Sequence, residues 1–202
     1  SGIEGCTRLA TLELDDNNIS NVSPLAALTT LTSLSLDSNQ ITDITKMASL
    51  RSLRSLSLNN NQIRTLTPLT PLSQLTSLSL EGNQIRDASP LSPLNKLINL
   101  NLSKNQIGNV ATLNTLASLT RLAIANNQIE DITSLASLVN LAYLDLSHNR
   151  VNAPRVHRFH VLQAIPANQL ILAHNFSHVN HSAQALAVNP LLLTVIALVH
   201  RY

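Results

Sequence analysis

The chain has 202 residues, of which 12 % are charged and 2 % aromatic, with a formal net charge of +2. A charge so nearly balanced and so few rings leave neither a basic patch nor stacking platforms for nucleic acid, so no nucleic-acid partner is expected. The single cysteine, Cys6, rules out an internal disulfide framework.

Residues 1–8 read as a partial coil, because Ile3-Glu4-Gly5-Cys6-Thr7-Arg8 runs parallel to Leu25-Ala26-Ala27-Leu28-Thr29-Thr30 further on. Cys6 takes the place of Leu28, Leu50 and Leu72 and is expected to be a small buried hydrophobe. Seven regular units of 22 residues follow over 9–151, beginning at Leu9, Leu31, Leu53, Leu75, Leu97, Leu119 and Leu141. A period of this length means a solenoid in which each unit stacks on the last.

The opening of a unit reads L-x-x-L-x-L-x-x-N, as in Leu75-Thr76-Ser77-Leu78-Ser79-Leu80-Glu81-Gly82-Asn83. Alternation around the second and third leucines predicts a strand with one buried face. The closing asparagines are Asn17, Asn39, Asn61, Asn83, Asn105, Asn127 and Asn149, with Asn175 after a longer interval. Stacked in register, their amides can bond the backbone groups that a tight turn leaves unpaired in the interior.

Past Asn149 the period stretches to 26 residues. Val156, Phe159, Leu162 and Ile165 recur at helical spacing behind Pro154, which predicts a short amphipathic helix over 155–165, ended before Pro166. A degraded eighth repeat with Leu170, Leu172 and Asn175 completes an irregular coil over 152–182, and 183–202 is expected to cap the core of the last coil. The apolar stretch 185–199 is broken by Asn189-Pro190 and is shorter than the roughly 20 residues a membrane span needs, so no membrane insertion is expected. At the other end, Leu9–Leu14 offers an unpaired strand edge, a route to self-association.

The pattern resembles the leucine-rich repeat family in its short form, over residues 3–151. Asn39-Gln40-Ile41-Thr42-Asp43-Ile44 and Asn83-Gln84-Ile85-Arg86-Asp87-Ala88-Ser89-Pro90-Leu91 are similar to the N-Q-I-x-D-I-x-P-L stretch of bacterial internalin-like proteins. The phosphatase-1 regulatory leucine-rich proteins share the repeat length, but Ser23-Pro24, Thr67-Pro68 and Ser89-Pro90 favour the internalin side. The resemblance implies a short 3₁₀ turn in the back half of each unit. The architecture is then an α/β-class leucine-rich repeat solenoid, right-handed and curved, with a parallel concave β-sheet and 3₁₀ turns on the convex side.

In this geometry the leucines point inward and the residues between them face the concave side. The third-position column runs Thr11, Ser33, Ser55, Ser77, Asn99, Arg121, Tyr143, and the fifth runs Glu13, Ser35, Ser57, Ser79, Asn101, Ala123, Asp145. The seventh runs Asp15, Asp37, Asn59, Glu81, Ser103, Ala125, Ser147, and the eighth runs Asp16, Ser38, Asn60, Gly82, Lys104, Asn126, His148, His174. Three zones result: an acidic patch (Glu13, Asp15, Asp16, Asp37), a plain Ser/Asn field, and a final cluster of Arg121, Tyr143, Asp145, His148 and His174. Arginine and tyrosine dominate binding hot spots, which makes the last cluster the candidate partner-binding site. The acidic patch reads as solvated, since no loop converges its carboxylates on a cation.

All seven histidines lie between His148 and His200. With no cysteines beside them they read as polar residues of an irregular cap, and no metal site is assigned. Arg150, Arg155, His157, Arg158 and His160 form a basic stretch read as a solvated helix face. Ser35, Ser57 and Ser79 form a stripe with no His or Asp expected in hydrogen-bonding reach, and the four glycines form no phosphate-cradling loop. Neither an enzyme nor a cofactor is expected. The resemblance implies instead a non-catalytic protein–protein interaction scaffold, of unknown compartment with secretion or the cell surface favoured. The alternative is an intracellular regulatory or structural scaffold, or a spacer in a longer solenoid.

Overall fold

The computed structural model describes residues 2–151 and 170–171. Each regular unit contributes a three-residue strand centred on its second leucine. These are β1 (Thr11–Glu13), β2 (Ser33–Ser35), β3 (Ser55–Ser57), β4 (Ser77–Ser79), β5 (Asn99–Asn101), β6 (Arg121–Ala123) and β7 (Tyr143–Asp145), and Leu170–Ile171 adds β8. All eight pair in sequence order in one sheet. The pairing is parallel and in step with the repeat, so that Leu12 lies opposite Leu34 and Arg121 opposite Tyr143. A parallel ladder requires a crossover after every strand, and the back half of each unit supplies it.

That crossover is a 3₁₀ turn, from η1 (Ile3–Gly5) and η2 (Ser23–Ala27) through to η7 (Thr133–Ser137). Pro24, Pro68 and Pro90 sit in the first turn, where a missing N–H is no loss. The side chains of Asn21, Asp43, Asp87, Asn109 and Asp131 each accept the backbone N–H two residues on, which satisfies a donor the short turn would otherwise orphan.

Between sheet and turns runs one hydrophobic core, continuous from Val22 to Val151, built almost wholly of stacked Leu, Ile and Val. In the first coil Ile3, Leu9, Leu12, Leu14 and Ile19 are only partly buried against it. Cys6 is exposed, contrary to the sequence expectation.

The asparagine ladder forms. Asn83 donates its amide to Leu58 O, Leu80 O and Glu81 O at 2.9, 3.1 and 3.3 Å and accepts Ile63 N–H at 3.0 Å, tying two coils together. Asn39, Asn61, Asn105, Asn127 and Asn149 repeat the arrangement, all buried. Asn17 differs: it is exposed and donates only to Leu14 O and Asp15 O within its own coil. Among the described residues no buried side-chain nitrogen or oxygen lacks a partner.

The helix expected over 155–165, the cap over 183–202, Asn175, His174 and the other late histidines, and the basic stretch past Arg150 lie outside the described residues. Among the described residues no helix is long and apolar enough to cross a membrane.

Candidate functional site on the concave face

The strands present their third and fifth positions on the concave side, but the two columns that follow behave differently from the sequence expectation. The eighth column is not part of the sheet. Asp16, Ser38, Asn60, Lys104, Asn126 and His148 have φ between 52° and 55°, and Gly82 has φ 68°, so each turns the chain in the left-handed region just past the strand. Asn, Asp, His and Gly tolerate that region best, which accounts for most of the column. At Gly82 the φ of 68° suits a glycine, and an added Cβ would also require the exposed Asn60 side chain to move aside.

The seventh column is a second ladder. Asp15 Oδ1 accepts the Ser35 hydroxyl at 2.6 Å and the Asp37 N–H at 2.7 Å. Asp37 repeats this with Ser57 and Asn59, at 2.6 and 2.7 Å, and Asn59 with Ser79 and Glu81, at 2.7 and 2.8 Å. Ser35 and Ser57 of the serine stripe therefore do have carboxylates in reach, contrary to the sequence reading, while Ser79 meets the amide of Asn59. A fifth-position side chain and the seventh-position carboxylate of the preceding strand lie on the same face of adjacent parallel strands, about 5 Å apart. No imidazole joins them, since His148, the one histidine among the described residues, belongs to the seventh unit. Of the acidic patch, Asp15 and Asp37 are thus tied to the next coil, Asp16 occupies a turn, and Glu13 lies exposed on β1.

The ladder changes character after Glu81. Glu81 accepts Asn101 Nδ2 at 3.0 Å and pairs with Lys104 Nζ at 2.8 Å. The Lys104 hydrogen bond, more than any other effect, holds the Glu81 carboxyl below its ordinary value, and Glu81 in turn raises Lys104. One strand further on, positions five and seven are Ala123 and Ala125, which cannot continue the ladder. Ser103, Ala125 and Ser147 are buried, at 7, 5 and 8 % exposure, and not displayed as the column reading required.

Where the ladder lapses the concave face is hollowed into a groove of about 520 Å³. Its floor includes Ala123 and Ala125, and Arg121, Tyr143, Asp145 and His148 stand around it. Four members of the sequence-derived cluster are thus brought together, while His174 lies outside the described residues. The Arg121 guanidinium stacks over the Tyr143 ring at 3.7 Å from its centroid. Burial raises the Tyr143 phenol, the negative charge of Asp145 raises it further, and Arg121 opposes both. Asp145 Oδ1 is occupied by the N–H and hydroxyl of Ser147, at 2.9 and 2.7 Å. The alanine floor was missed in the sequence, although the loss of polar residues at positions five and seven of a single unit was its signal. Among the described residues no group of three or more His, Cys, Asp or Glu could hold a metal ion.

The family model described as Leucine rich repeat matches residues 7–63 and 29–85, and that described as Leucine Rich repeats (2 copies) matches 95–137 and 117–154. No curated protein sequence matches the chain. Among solved structures, the internalin InlF of Listeria monocytogenes superposes with a TM-score of 0.78 at 38 % identity, over 89 % of this chain and 50 % of that one. Internalin C2 of the same organism gives 0.76 at 36 % identity, over 85 % of this chain and 73 % of that one. The ectodomain of the Arabidopsis thaliana receptor kinase GASSHO1/SCHENGEN3, solved in complex with CASPARIAN STRIP INTEGRITY FACTOR 2, gives 0.70 at 25 % identity, over 84 % of this chain and 22 % of that one. The chain spans half the length of the InlF structure.

Proposed function

The chain belongs to the leucine-rich repeat family, and from that premise we propose that it is a non-catalytic recognition module, internalin-like and acting at a cell surface or in secretion. It binds another protein through the C-terminal half of its concave face. The observation that carries the reading is the lapse of the second ladder at Ala123 and Ala125, beside the stacked pair Arg121 and Tyr143. In the N-terminal half the concave side chains Asp15, Ser35, Asp37, Ser57, Asn59 and Ser79 are engaged with one another. A partner there would have to break bonds between coils before making its own. Around the groove the side chains are of the types that dominate hot spots, set about a small desolvated floor. Eight strands give a face about 35 Å long, enough for an interface of standard size.

The similarity to internalins supports the extracellular setting, and the complex formed by the plant ectodomain supports a protein as the ligand class. The test is capture from the extracellular proteins of the source environment on immobilised wild type and on an Arg121→Ala, Tyr143→Ala double variant. One partner retained by the wild type and lost from the variant is the expected result. A partner retained equally by both would move the site off this groove.

A further inference from the structure

Resting on that recognition reading, the groove contains one charge that the fold has positioned but not neutralised. The Arg121 guanidinium carbon lies over the Tyr143 ring, 3.7 Å from its centroid, a contact that holds the cation without placing its N–H groups on a carboxylate. Its in-plane N–H groups stay available, and no carboxylate among the described residues pairs with them. The acidic neighbours are committed elsewhere, Glu81 to Lys104 and Asn101, and Asp145 to Ser147. A planar fork of donors held open in this way matches a carboxylate, which accepts two parallel hydrogen bonds. On the same strand face, two residues and about 6.6 Å along, Ala123 offers a methyl surface without a competing donor.

We propose that the groove anchors one acidic side chain, Asp or Glu, of an extended segment of the partner protein. Its carboxylate is forked by Arg121 and its aliphatic stem lies over the half-buried Ala123. A phosphorylated side chain fits less well, because Lys104 is already paired with Glu81 and the single charge of Arg121 would leave a dianion half compensated.

The experiment is selection of random peptides displayed on phage against the immobilised chain, in parallel with the Arg121→Gln variant. Synthetic copies of the selected peptides, with the acid and with its amide counterpart, are then titrated against both proteins. The expected result is an Asp or Glu at a fixed place in the wild-type peptides. Affinity falls about tenfold to a hundredfold when either the acid or Arg121 is neutralised, and little further when both are. Arg121 is exposed, so the variant should melt with the wild type. Recurrent peptides without an acid, or an acid whose loss costs the same in Arg121→Gln, would overturn the anchor. In that event, loss of the same peptides from Tyr143→Ala would leave the recognition reading standing. Retention of no peptide at all would remove both.

Discussion

The hydroxyl of Ser57 donates to Asp37 Oδ1 across 2.6 Å, from one coil back to the one before it. Because Asp37 Oδ1 also accepts the Asn59 N–H at 2.7 Å, one carboxylate oxygen closes both a side-chain and a backbone bond between coils. The solenoid is therefore stitched twice, by the buried asparagines and by this half-exposed series on the concave rim. The two series differ in what replaces them when they are cut: water reaches the rim and does not reach the interior.

Asp15 tests the rim. Only its Oδ1 makes bonds to the next coil, and an asparagine keeps that acceptor, as Asn59 does two units later. Asp15→Asn also removes the like charge beside Asp37, so stability should be unchanged or higher by a few tenths of a kcal/mol. Asp15→Ala should cost about 1 kcal/mol. Urea denaturation of the three proteins gives the order. Equal losses in both variants would mean the bonds to Ser35 and Asp37 contribute nothing.

The interior ladder is tested by Asn83 against Asn17. Asn83→Ala leaves the Ile63 N–H without its acceptor in the core, while Leu58 O keeps only the Asn61 amide, and should cost about 2 kcal/mol. Asn17→Ala removes two bonds that water can replace and should cost about 0.5 kcal/mol. The comparison needs only the two midpoints from chemical denaturation, and similar costs would contradict the assignment of Asn17 as an incomplete rung.

The ion pair between Glu81 and Lys104 sets a pH window. The folded carboxyl titrates below the ordinary 4.5, so its contribution is present above that value and is lost as pH falls through the lowered one. The amine titrates above the ordinary 10.5, so its contribution is present below that value and is lost as pH rises through the raised one. A double-mutant cycle with Glu81→Gln and Lys104→Met should show coupling at neutral pH that is weaker in high salt and disappears once the pH has fallen through the lowered carboxyl value. Coupling that survives at the acid end would mean the contact is not ionic.

Tyr143 reports on the stack directly. Its phenol should titrate above the ordinary 10.0, and the Tyr143→Phe difference spectrum separates it from Tyr202. Arg121→Gln keeps a side chain over the ring but removes the charge that stabilises the phenolate, so the titration should move higher still. An unchanged curve would mean that the guanidinium does not sit on the ring in solution.

Much of this molecule could be read from the chain because a repeat converts sequence spacing into spatial spacing. Leu12, Leu34 and Leu56 recur at the period, so they stack, and the strand, the core and the buried asparagines follow from that one rule. The gathering of Arg121, Tyr143, Asp145 and His148 on neighbouring coils was legible for the same reason. The period could not say what each column does once stacked. Asp15 and Asp37 look like part of a solvated acidic patch in sequence and prove to be bonds between coils, because backbone N–H groups and serine hydroxyls of the next strand arrive within 3 Å of them. The eighth column looks like display and is a left-handed turn, a dihedral that no spacing encodes. Cys6 matches the buried leucines Leu28, Leu50 and Leu72 by register yet is exposed, because register gives the position in a coil and not the cover over it. The sequence determined the stacking by itself. Only the tertiary structure decided which side chains the stacking consumes and, beside Ala123, where the second ladder lapses and the concave face is hollowed.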